Sequence, residues 1–169
     1  MSNFQSTVNI NYGFGVIGEM FQDEPSRVES LIVNSSGAGN TVGLAYTKSN
    51  TTNIATLGGA IVNGTNVFAG ILVNPKVYAS LGTTAGTLTP TLVIPDNTQA
   101  EFLTFGTIVV ALTGSANIGD IVQYNNTTGA LSALAPGSTV TTGNTFIPNC
   151  VVYKFPTTGA GLVAIRITN

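Results

Sequence analysis

Apolar and β-branched residues along this chain gather into short runs separated by clusters of Gly, Asn, Ser and Pro. The runs are Val28–Val33, Thr41–Tyr46, Val67–Val73, Thr91–Ile94, Phe102–Leu112, Asp120–Tyr124, Asn149–Phe155 and Leu162–Thr168. Between them lie turn-forming stretches: Asn34–Asn40, Leu57-Gly58-Gly59, Asn63-Gly64, Pro95–Thr98 and Asn125–Gly129. Short strands at this spacing, with Gly and Asn at the turns, predict an all-β fold, an antiparallel sandwich or barrel of jelly-roll type. Alternation is clearest at the end of the chain. Val163, Ile165 and Ile167 share one face and are the expected core face; Leu162, Ala164 and Arg166 share the other.

Two stretches break this pattern. In Asn74–Gly82, Asn74 can cap a helix, Pro75 suits its first position and Gly82 can end it, so one short helix is expected near 75–81. Residues 1–27 mix isolated aromatics with Gly13, Gly15 and Gly18, then turn acidic, and show no sustained period. They read as an extended N-terminal arm that orders against a partner, with residues 28–169 as the β body. An irregular first strand of the barrel is the alternative.

Composition sharpens the picture. Charged residues make up 7% of the chain, against about 25% in ordinary soluble domains. A polar, nearly uncharged surface puts little electrostatic repulsion in the way of packing against another protein. The five basic residues, Arg27, Lys48, Lys76, Lys154 and Arg166, are scattered, and a phosphate backbone needs a clustered basic face, so no direct nucleic-acid contact is expected. There is no histidine, which removes the commonest general base and metal ligand. The single Cys150 lies in an apolar run and reads as a buried small hydrophobe. The N-terminus lacks a basic region followed by an apolar stretch, and no apolar run approaches membrane-spanning length, so neither secretion nor membrane association is expected. The Asn-X-Ser/Thr sites would then carry no glycan.

Candidate chemistry does not survive its context. Gly13-Phe-Gly-Val-Ile-Gly18 has the glycine spacing of a dinucleotide-binding turn, but acids follow it, Pro25 cuts short any helix and no βαβ pattern is present. Glu19, Asp23, Glu24 and Glu29 match no calcium loop. A carboxylate-only glycosidase would normally carry exposed aromatics for sugar stacking, and the chain has no Trp. No Ser lies in a nucleophile elbow. The expectation is therefore no enzyme, no cofactor and no metal site. The candidate interface residues are Phe4, Tyr12, Phe14, Val16, Ile17, Glu19, Phe21, Asp23 and Glu24: aromatic and aliphatic anchors, with an acidic strip able to meet a basic patch on a partner.

A series of segments in order along the chain completes the reading. They are Gly15-Val-Ile-Gly-Glu, Arg27-Val-Glu-Ser-Leu-Ile-Val-Asn-Ser, Val67-Phe-Ala-Gly-Ile-Leu-Val-Asn-Pro-Lys-Val-Tyr and Gly106-Thr-Ile-Val-Val. Ala116-Asn-Ile-Gly-Asp-Ile-Val-Gln-Tyr, Thr128-Gly-Ala-Leu and Gly161-Leu-Val-Ala-Ile-Arg-Ile-Thr follow. Together they resemble the structural cement protein family of tailed bacteriophages. The resemblance implies a virion protein made in the host cytoplasm and added to the outer surface of an assembled shell. There it would bridge neighbouring subunits of the major capsid protein and help the head resist internal pressure. A homotrimer is the favoured assembly and a dimer the rival, because multivalent attachment multiplies weak contacts. A tail-tube or fibre subunit and a carbohydrate-binding β-domain are the competing functions.

Overall fold

The computed structural model describes residues 15–21, 24–37, 39–75 and 93–168. Among these it contains eleven strands and no helix. They are β1 (Arg27–Val33), β2 (Asn40–Thr41), β3 (Ala45–Ser49), β4 (Ile54–Leu57), β5 (Asn66–Leu72) and β6 (Val93–Ile94). After these come β7 (Thr98–Leu112), β8 (Ile121–Asn125), β9 (Leu131–Leu134), β10 (Asn144–Lys154) and β11 (Gly161–Ile167). The all-β expectation is met. Most of the helix expected near 75–81 lies outside the described residues; Asn74, at its proposed cap, donates its backbone N–H to the carbonyl of Gly18 at 2.9 Å.

The spine is β7, fifteen residues long. Its first half pairs antiparallel with β1 and, at Phe102 and Leu103, with β5; its second half pairs with β11 from Gly106 to Leu112. Following the pairings outward gives two closed rings. One runs β1–β4–β3–β5–β7 and shuts where β1 meets β7; the other runs β7–β11–β10–β8–β9 and shuts where Leu131 meets Leu112. Closure is what removes sticky sheet edges in antiparallel architectures. A separate two-stranded ribbon of β2 and β6 completes the fold.

Alternation along β7 lets it serve both rings. Ala100 and Phe102 face a core with Leu31, Val33, Tyr46, Ala55 and Leu72, in which Tyr46 meets Phe102 edge-on at 5.2 Å. Leu103, Ile108, Val110 and Leu112 face a second core with Val122, Tyr124, Leu131, Val152, Val163 and Ile165. Ala45 and Ile71 come from strands of the first ring yet pack in the second core. The two rings therefore share material as well as a strand. Gly70 marks the tightest approach: at φ +133 it sits so close to β7 that a Cβ would lie 2.6 Å from the Leu103 carbonyl.

The expected strands largely coincide with those observed, with informative differences. The Thr41–Tyr46 run divides into β2 and β3, because residues 42–43 form a turn in which Gly43 has positive φ. β4 and β9 were not legible as runs. Each is four residues long with one fully buried side chain, Ala55 or Leu131, so neither makes an apolar stretch. Val163, Ile165 and Ile167 are buried as expected; Ala164 on the opposite face is buried as well, since β11 lies between β7 and β10. The Asn34–Asn40 turn is closed by Asp96. Its carboxylate accepts from Ser35 N–H at 2.9 Å, Gly37 N–H at 2.8 Å and the Asn40 side-chain amide at 2.8 Å.

Candidate interaction surface

Residues 15–21 and 24–26 lie along the body. Gly18 N–H donates to Val109 O at 2.8 Å, Val109 N–H to Glu19 O at 2.9 Å and Phe21 N–H to Thr107 O at 2.9 Å, so the segment adds to β7 as an irregular strand. Met20 forms a bridge with Ile108 and packs against the second core. Gly18 is required here: with φ +80, a Cβ would lie 2.8 Å from the Asn74 nitrogen.

Five of the nine candidate interface residues fall on this segment. Val16 and Ile17 sit at a turn, 58% and 37% exposed, with the Ile17 side chain leaning over Gly43. Glu19 holds the turn, its carboxylate accepting the Val16 N–H at 3.0 Å. Phe21 stacks on Phe155 with ring centres 6.2 Å apart, and the Lys154 ammonium lies 5.4 Å from its centre. Glu24 takes two contacts from Arg166, at 2.8 and 3.2 Å, and accepts the Thr107 hydroxyl. The structure thus presents Val16 and Ile17 to solvent, while Glu19, Phe21 and Glu24 bind the protein's own body. Phe4, Tyr12, Phe14 and Asp23 lie outside the described residues.

The body side of this contact is itself unusual. Arg166 stacks on Tyr153, its guanidinium carbon 3.5 Å from the ring centre, and Lys154 lies 4.9 Å from the same ring. Phe155 adopts φ +61, a strained conformation for a bulky side chain, and remains 37% exposed. Desolvation pulls the Arg166 pKa down, but the Glu24 carboxylate and Tyr153 hold it above the usual arginine value. The acids and bases neutralise one another locally, as Glu29 and Lys48 do on the first ring.

Sequence reading missed other exposed apolar side chains. Val28, Ile32 and Ile54 line the outside of the first ring, where Ile32 and Ile54 are neighbours across β1 and β4. Val93 and Ile118 are exposed at 52% and 63%. The signal for the first group was present: β1 is apolar on both faces, which a strand with one solvated face would not be. Among the described residues no three or more Cys, Asp or Glu side chains gather to hold a metal, and no helix is long and apolar enough to cross a membrane. Cys150 is 3% exposed, and burial pushes its thiol pKa well up, so it packs as a small apolar group.

Comparison with known proteins follows the same line. The family model described as structural cement protein (E217 gp24/Pam3 gp6) matches residues 4–168. A chain in a solved structure titled "The capsid of Myoviridae Phage XM1" has the same fold, with a TM-score of 0.66 at 18% identity. The match covers 98% of this chain and 97% of that one. No curated protein matches the sequence.

Proposed function

The chain belongs to the structural cement protein family, and on that premise we propose that it binds the outer surface of an assembled phage capsid without catalysis, bridging neighbouring major capsid protein subunits. The observation that carries this reading is the family match over residues 4–168. The physical properties of the chain support it. Two rings closed on a shared strand make a stiff body, which suits a part that must hold neighbouring subunits against outward pressure. Its scarcity of charge lowers the cost of desolvating a broad contact. Val16 and Ile17 stand exposed at a turn locked by Glu19, so they can enter an apolar pocket with little loss of conformational entropy.

The test is to mix purified protein with emptied, expanded capsids that lack it, then pellet them. Saturable co-sedimentation that raises the heat resistance of the shell is expected. Failure to bind any expanded shell sinks the proposal, and filaments formed by the protein alone would favour a tail-tube or fibre role. Replacing Val16 and Ile17 together by Asp should weaken capsid binding at least about tenfold, since each charge would be buried without a partner.

A further inference from the structure

β1 leaves part of one edge open. Toward β7 it is paired along all seven residues, but on the other side β4 covers only Ile32 and Val33. Ile32 donates its N–H to Asn53 O at 3.1 Å, on the β4 side. The two-residue alternation of a strand turns the N–H and C=O of Ser30 and Val28 the same way. No described residue pairs with them there, and both residues are exposed. Apolar side chains border this edge: Val28 at 38%, Ile32 at 45% and Ile54 at 40% exposure.

We propose that β1 is a homotypic docking edge, through which two copies of the chain pair antiparallel about a two-fold axis passing at Glu29. Val28 then lies opposite Ser30 of the partner subunit, and Ser30 opposite the partner's Val28. This register uses every open main-chain group of the edge and asks nothing of Ile32, which is already bonded to the Asn53–Ala55 stretch. Charge is complementary in the same register. Arg27 becomes a diagonal neighbour of the partner's Glu29, and the reverse holds across the axis. The two Glu29 carboxylates face each other, but each is already held by Lys48 of its own chain. On the outer face Val28 gains the partner's Val28 and the partner's Ile32 as diagonal neighbours, within reach for side-chain contact. One strand pair is a small interface, so the dimer is weak in solution. A two-fold dimer is also the rival of the homotrimer that the family resemblance favoured.

Sedimentation of the full chain over a wide concentration range should show a reversible monomer–dimer equilibrium. Val28→Lys places an edge charge that natural sheets use against such pairing, and should raise the dissociation constant about tenfold or more while leaving the monomer folded. A second variant reads the register directly. Glu29→Cys puts the two sulfur-bearing positions in a non-hydrogen-bonded pair with Cα atoms about 4.5 Å apart, inside the span of a disulfide, about 4.4–6.8 Å. It should therefore form a covalent dimer on mild oxidation, whereas Val93→Cys, equally exposed but away from β1, should not. A chain that stays monomeric at all concentrations, sediments as a trimer, or dimerises undisturbed by Val28→Lys with no Glu29→Cys cross-link overturns the proposal. None of these readouts involves a capsid, so they are independent of the capsid-binding test.

Discussion

Tyr124 shows how single side chains join the two rings. Its ring packs in the second core and against Phe68 at 6.1 Å, while its hydroxyl donates to Gly59 O at 2.7 Å, in the turn that follows β4. Burial pushes its pKa up to about 12, so it donates at any ordinary pH. Tyr124→Phe leaves the carbonyl without its partner and should cost about 1 kcal/mol, read as a fall in Tm of about 2–4 °C. Asp96 does comparable work for the Asn34–Asn40 turn. The Asn40 amide, then the Ser35 and Gly37 N–H groups, hold its carboxyl below the usual value of 3.8. A depressed pKa means the ionised form is the one that stabilises the fold. That contribution is complete above 3.8 and drains away as pH falls below it toward the folded value. Asp96→Asn should therefore lower the urea midpoint at pH 7 and flatten its decline below pH 4; an unchanged acid limb would show that the contact is not coupled to folding. Sequence alone marked Asp96 only as part of a turn, because its donors stand about sixty positions away.

Among elements, the segment before β1 departs most from what its sequence suggested. Residues 15–21 lack a period because they follow β7 through main-chain bonds and a turn, not through alternating burial. Their anchors are specific: Phe21 on Phe155, and Glu24 on Arg166 and Thr107. A double-mutant cycle on Phe21→Ala and Phe155→Ala should give a coupling of about 0.5–1.5 kcal/mol in chemical denaturation. Strict additivity would mean the stack does not fasten the segment. Elements with strong local signals, such as β7 and β11, were readable within a few residues. β4 and β9 were not, since their pairing depends on neighbours and not on their own composition.

At the scale of the molecule, two rings with two named cores still make one folding unit. Ala45, Ile71, Val73 and Leu103 place first-ring strands and their neighbours in the second core, and β7 cannot unfold in one ring without opening the other. Calorimetry should show a single cooperative transition, with equal calorimetric and van't Hoff enthalpies; two resolved transitions would separate the rings. The sequence by itself determined the all-β class, most strands, the buried face of β11 and the family, because alternation, turn chemistry and ordered motifs are local and survive without neighbours. Only the tertiary structure decided that β7 closes two rings, that Glu24 meets Arg166 across 142 positions, and that Val28, Ser30 and Ile32 lie along a partly open edge. Each of these depends on which distant segments lie side by side, and a pattern of apolar and polar positions carries no record of its partner.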